Sequence, residues 1–164
     1  YVSREKLAAQ AQEKDDSKKE FINYYDFALL KLNQEAPAKA EVAEILEDVS
    51  ALARGATVTA AGYGLVKDLP QEESTVLQKT QLKIIDSVGS EVAVDQSQGS
   101  GICSGDSGGP AFIEVNGKQY VWGVASRVGN YQEPDKYCSG VGVHGNVTAV
   151  KGYVDLILNR WGIQ

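Results

Sequence analysis

Histidine is nearly missing from this chain: His144 stands alone among 164 residues, and cysteine is almost as scarce, with only Cys103 and Cys138. A structural zinc site needs four nitrogen or sulfur ligands, which these three residues cannot supply, so no metal and no other cofactor is expected. Positive charge is also short. Sixteen Lys and Arg against 22 Asp and Glu leave a net charge of -6, which excludes the basic face that a phosphate backbone demands, and no nucleic-acid partner is expected. Long apolar runs are absent, so neither a membrane span nor a signal peptide is read here and no membrane partner is expected. With 43% hydrophobic residues, the chain suits a soluble globular piece burying one sizeable core. Two cysteines leave open one disulfide or two buried thiols.

Against these shortages stands Gly105-Asp106-Ser107-Gly108-Gly109-Pro110. A serine hydroxyl is a poor nucleophile at neutral pH, so covalent catalysis needs a base to take its proton and backbone donors to hold the oxyanion. Glycines permit sharp turns and close approach of a carbonyl, and the N–H groups of Gly105 and Ser107 could converge on one spot. The bland alternative is a glycine-rich surface turn. The string also contains the Gly-x-Ser-x-Gly of the α/β-hydrolase elbow, which must join a strand to a helix. Here Pro110-Ala111-Phe112-Ile113-Glu114-Val115 comes next and reads as a strand, which argues against an elbow.

The first 20 residues are dominated by charge, with Ser3 a candidate N-cap, and read as a solvated helix or loop. Phe27, Leu29 and Leu30 suggest an apolar strand that begins at Asp26. Val42, Ile45, Leu46 and Val49 have helical spacing. Beyond Gly55 strand signals prevail: Thr57-Val58-Thr59-Ala60, the stretch 76–85, and Phe112 to Val115 joined through Asn116-Gly117 to Tyr120 to Ala125 as a type I′ hairpin. Such frequent short strands suggest a β-barrel. Thr148 is the expected N-cap of a closing helix whose Val150, Tyr153, Val154, Ile157, Leu158 and Trp161 form a packing stripe. Asn146-Val147-Thr148 is a glycosylation sequon within an expected strand and carries little weight.

In these blocks and their order the chain resembles the trypsin/chymotrypsin family of serine endopeptidases. The string at 105–110 matches the family's nucleophile motif in full, and Tyr25-Asp26-Phe27-Ala28-Leu29-Leu30-Lys31-Leu32 resembles its triad-aspartate segment. Ala60-Ala61-Gly62-Tyr63-Gly64, Gly123-Val124-Ala125-Ser126 and Gly142-Val143-His144-Gly145-Asn146-Val147-Thr148 resemble strands of its second barrel. The similarity runs from about Asp26 to the C-terminus and is looser between Asn33 and Ala53. It implies an all-β fold of the double six-stranded barrel type, here the complete second barrel plus the last part of the first, with a C-terminal helix. On that reading 1–33 end the first barrel, 34–54 form an extended crossover, 55–147 the second barrel and 148–164 the helix.

The resemblance also implies roles. Ser107 would be the nucleophile and Asp26 a buried carboxylate orienting the base. Gly105 and Ser107 would form the oxyanion hole, and Ser126 would hydrogen-bond near Asp26 while presenting its carbonyl to substrate. Asp106 would pair with the new N-terminus made by activation cleavage. Cys103 and Cys138 would form a disulfide tying the nucleophile loop to the pocket loop, hence an oxidising compartment and a secreted or periplasmic protein. Gly101, Ile102, Ser104, Ser126, Arg127, Val128, Gly142 and His144 would line the substrate site, His144 as pocket wall or as a buried structural residue. Gly101 stands where trypsin-like specificity needs an aspartate, so Lys/Arg specificity is disfavoured. Val128 and Ile102 favour small or medium aliphatic side chains, whereas Arg127 is either solvated or favours acidic groups beyond the pocket.

The family's base is a histidine upstream of the aspartate, and none precedes Asp26 here. Two expectations arise: a C-terminal piece of a protease whose missing N-terminal segment brings the histidine, even as a separate chain, or a catalytically dead homologue serving as a binding or regulatory module. The first is preferred, since a barrel cut to its last strands would bare open sheet edges. Peptide or protein substrates are the partners the first implies.

Overall fold

The computed structural model describes residues 25–67, 70–130 and 133–163. The charged N-terminal stretch and its cap Ser3 lie outside them. Among the described residues the strands in chain order are β1 (Thr57–Gly62), β2 (Leu65–Lys67), β3 (Glu72–Glu73), β4 (Gln78–Val88), β5 (Glu91–Asp95), β6 (Pro110–Val115), β7 (Lys118–Gly129) and β8 (Val141–Asn146), followed by an α-helix, α1 (Lys151–Trp161). Six of the strands close a barrel in the order β1-β4-β5-β8-β7-β6, while β2 and β3 make a separate small hairpin. Every neighbouring pair is antiparallel. The all-β expectation of a six-stranded barrel with a C-terminal helix is thus met.

Strand side chains alternate between faces, and the inward set is apolar. Val58 and Ala60, Leu82 and Ile84, Val92 and Val94, and Ala111 and Ile113 come from successive strands into one core with Trp122 and Ala125. Asn116 and Gly117 have φ of 52° and 77°, both left-handed, the turn that matches the twist of the β6–β7 hairpin. β5 escaped the sequence reading, because its buried run is too short to show a period.

β7 is bulged on both of its edges. Phe112 pairs with Val121 and Ala111 with Gly123, so Trp122 is an extra residue on one edge. Ala125 pairs with His144 and Arg127 with Val143, which leaves Ser126 extra on the other. A bulge re-aims the residue it inserts. Trp122 is fully buried, and Ser126 points out to hydrogen-bond Asp26.

Residues 34–54 run mostly extended, as the resemblance implies, despite the helical spacing of their apolar residues. Ile45 bridges to Val121 in parallel, with Leu46 N–H donating to Val121 O and Val121 N–H to Glu44 O, each at 2.8 Å. A single short helical turn, Val49–Leu52, is capped by Asp48, whose Oδ1 accepts from Ser50 N–H at 2.9 Å. Leu46 and Leu52 complete the core, so tertiary pairing overrides the local period.

Three expectations need correction. Residues 25–32 form no strand: no ladder partner runs beside them among the described residues. Thr148 is not the cap of α1; its hydroxyl donates to Leu46 O, and it begins a short turn, Thr148–Val150, that leads into the helix. The apolar stripe of the helix is only partly covered, since Val150 before it is buried but no residue within α1 is, and Tyr153 and Leu156 are exposed.

The sequon residue Asn146 caps that turn. Its side chain is buried, and Oδ1 accepts from Thr148 N–H at 3.0 Å and Ala149 N–H at 3.3 Å. Asn146→Ala is expected to lower stability by about 1–2 kcal/mol, measured as a shift in the urea midpoint. The chain made in a glycosylating host should show the unmodified mass at this position.

Candidate active site

The loop between β5 and β6 carries Ser107, whose side chain is exposed. Gly105 and Gly108 on either side have φ of 95° and 80°, conformations that glycine alone adopts cheaply. Between them Asp106 turns inward. Its Oδ1 accepts the Gly64 N–H at 2.8 Å and its Oδ2 the Cys103 N–H at 2.9 Å, while Gly109 N–H donates to Asp106 O at 2.8 Å. A β-carbon at Gly62 or Gly64 would overlap the Asp106 carboxylate, which explains both glycines beside Tyr63. Leu65 N–H closes the contact by donating to Ser104 O at 2.8 Å.

The other side of the loop is fastened to β7. Gly108 N–H donates to Ala125 O at 2.8 Å, and Ala125 N–H donates to Gly109 O at 2.9 Å. The next residue is the bulged Ser126, whose Oγ donates to Asp26 Oδ2 at 2.8 Å. Adjacent residues of one strand thus hold the serine loop and the aspartate. Phe27 anchors the segment, since its ring covers Gly145 so closely that a β-carbon there would overlap it. Asp26 itself is exposed, not buried as the resemblance implies. Its carboxylate is held by Ser126 of β7, and segment 25–32 joins no strand among the described residues.

Cys103 and Cys138 are joined as a disulfide with Cα atoms 5.2 Å apart. Beside it Ser104 Oγ and Tyr137 OH share a hydrogen bond of 2.7 Å, a brace that nothing in the sequence announced. Val128, expected to narrow the pocket mouth, pairs with Gly142 and packs partly against the core.

Arg127 has a partner that neither expectation for it included. Its Nη1 donates to Glu91 Oε1 at 2.6 Å and its Nη2 to Glu91 Oε2 at 2.7 Å, and Glu91 is buried. The guanidinium is therefore paired with an internal carboxylate while its side chain stays 39% exposed. Glu91 was missed because a glutamate opening a strand looks like surface.

His144 lies in the barrel interior with no exposure, its ring 5.3 Å from that of Trp122. Neither imidazole nitrogen nor Trp122 Nε1 finds a hydrogen-bond partner among the described residues. Burial alone pulls its pKa down from 6.5 to about 4, because the low-dielectric interior penalises the cation. It is neutral at pH 7 and sits in the core.

Comparison with known sequences agrees with this geometry. A sequence profile of the Trypsin family matches residues 3–157. The CLIP domain-containing serine protease B4 of Anopheles gambiae is 29% identical over 154 residues, covering 82% of this chain and 41% of that protein. The chain therefore spans well under half the length of the relative it matches.

The buried groups make two predictions. Because His144 is harder to protonate folded than unfolded, the stability from burying it neutral is complete above pH 6.5 and is lost as pH falls through about 4. The loss amounts to about 3 kcal/mol. His144→Phe should remove this component, seen as a flatter difference between urea midpoints at pH 7.5 and pH 4 than in the parent chain. Arg127→Ala leaves the Glu91 carboxylate without this partner and, with the pair half open to solvent, should cost about 1–2 kcal/mol, whereas Arg127→Ala combined with Glu91→Gln should recover much of it; the midpoints of both variants test this.

Proposed function

The chain belongs to the trypsin family of serine proteases, and from that premise we propose that it is the nucleophile-bearing part of a serine endopeptidase. Ser107 attacks the peptide carbonyl, the Gly105 and Ser107 N–H groups hold the oxyanion, and Asp26 orients a histidine that this sequence does not contain. The observation that carries the proposal is the 2.8 Å hydrogen bond from Ser126 to Asp26, one residue from where the serine loop is bonded to β7. A surface glycine turn has no reason to be fastened beside an oriented carboxylate.

In this reading 1–33 close the first barrel, 34–54 cross over, 55–147 form the second barrel and 148–164 the final helix. The histidine comes from an N-terminal segment, in the same chain or held without a covalent link. Asp106, already bonded to two N–H groups, keeps acceptor capacity for an activating ammonium. Substrates are peptides or proteins, cleaved after small or medium aliphatic residues; the pairing of Arg127 with Glu91 weakens the support for acidic ones. The Cys103–Cys138 disulfide supports an oxidising, secreted setting.

A second reading, an inactive homologue that binds or regulates, is favoured by one fact: no histidine precedes Asp26 in these residues. The product of the full coding sequence separates the two. If it carries an upstream histidine, a fluorophosphonate should label Ser107 rapidly, Ser107→Ala should abolish labelling, and the 164-residue chain alone should label slowly. The isolated chain should retain no more than about 10³ to 10⁴ over water, the residue left when a triad loses a member. Rapid labelling of the isolated chain sinks the external-base reading, and a full-length product that never labels favours the inactive homologue.

A further inference from the structure

Tyr137 stands in the short helical turn Pro134–Ser139 between β7 and β8, outside both the serine loop and the hold on Asp26. Its hydroxyl shares a hydrogen bond of 2.7 Å with Ser104 Oγ, and the residues next to these two, Cys138 and Cys103, are joined by the disulfide. Adjacent positions of one segment are thus tied to adjacent positions of the other. One tie leaves a pivot; two fix an orientation.

The peptide that follows Ser104 is the one whose orientation matters. Ser104 O accepts the Leu65 N–H at 2.8 Å, and in a trans peptide the N–H points opposite to the C=O. The Gly105 N–H is therefore turned away from Leu65. The N–H groups of Gly105 and Ser107 donate to no acceptor among the described residues, whereas the Asp106 N–H between them donates to Cys103 O at 3.1 Å. Two unspent backbone donors accordingly remain in the serine turn.

Nothing local fixes that peptide. Gly105 has φ of 95°, and with no β-carbon on that side of the bond the peptide plane rotates at small steric cost. Its orientation has to be imposed through Ser104, by Leu65 at the carbonyl and by Tyr137 at the hydroxyl.

We propose that Tyr137 is a positioning residue for the oxyanion hole: by anchoring Ser104 Oγ it keeps the Gly105 N–H aimed at the carbonyl oxygen of the bond that Ser107 attacks. The inference rests on the protease reading and adds to it a residue that touches no substrate. An oxyanion donor is effective because it is aimed before charge develops and needs no reorganisation. Releasing Ser104 therefore costs the transition state and spares ground-state binding.

Tyr137→Phe, which removes one oxygen and keeps the ring, tests this in the product of the full coding sequence. Per fluorophosphonate-titrated site, kcat on a peptide substrate should fall by about tenfold with KM within about twofold, a smaller loss than the roughly 10²–10³ of a deleted oxyanion donor. Affinity for a peptide aldehyde, whose adduct with Ser107 places an oxyanion in the hole, should fall in step with kcat. Ser104→Ala should show the same loss, and the double variant should lose no more than either alone. An unchanged kcat, a loss confined to KM, or additive losses overturn the proposal.

Hydrogen exchange in the same protein gives a readout free of catalysis. The Leu65 N–H, protected by Ser104 O in the parent, should exchange about tenfold faster in Tyr137→Phe, while the Ile84 N–H, bonded to Ala56 O in the barrel, should keep its parent rate. Unchanged Leu65 exchange, or equal acceleration of both amides, reduces Tyr137 to a general structural role and overturns the proposal. Failure of Ser107 to label sinks the protease reading alone, because the exchange measurement still decides whether Tyr137 holds this peptide.

Discussion

The site depends first on the carboxylate of Asp106. By accepting from Gly64 and Cys103, it joins the end of β1 to the turn that carries Ser107. That turn is built from glycines in left-handed conformations, whose backbone entropy makes it costly to order. A charge-assisted bond to each carboxylate oxygen offsets that cost. The glycines at 62 and 64 are the geometric condition, since any side chain there would displace the carboxylate.

β7 supplies the second constraint. A regular strand would place residues 122–127 alternately in and out, but each edge of β7 carries an inserted residue. One insertion drives Trp122 into the core, and the other sends Ser126 out to Asp26. Ala125, between them, accepts from Gly108 N–H and donates to Gly109 O in the serine loop. Packing and site geometry are therefore set by the same few residues, so a change in the core beneath β7 will be felt at the Ser107 loop.

The elements legible in the sequence were those whose causes are local. Alternating β-branched residues, an Asn-Gly turn and a glycine-flanked serine each act within a few positions, and β1, the β6–β7 hairpin and the Ser107 loop stand where those signals put them. The illegible parts depend on partners far along the chain. Residues 42–49 have a helical pattern, yet they lie extended because Val121 offers them backbone bonds. Thr148 looks like a cap but bonds Leu46, 102 positions away. Glu91 and Gln96 look like surface residues, and only closure of the barrel shows that each is buried against a partner. The strand expected at 27–30 failed for the converse reason: apolar residues need a neighbouring strand, and none lies beside them in the described residues.

The interior polar groups are each compensated in a different way. Glu91 is neutralised by Arg127, Gln96 is engaged through both of its amide ends, and His144 is held uncharged by burial. None of these three interior groups therefore carries an uncompensated charge at neutral pH. The Cys103–Cys138 disulfide and the three backbone hydrogen bonds of Gln96 tie residues 96, 102, 103 and 138 to one another. Such a neutral, covalently braced frame does not loosen with added salt as exposed ion pairs do, so the turn that carries Ser107 rests on contacts that ionic strength leaves alone.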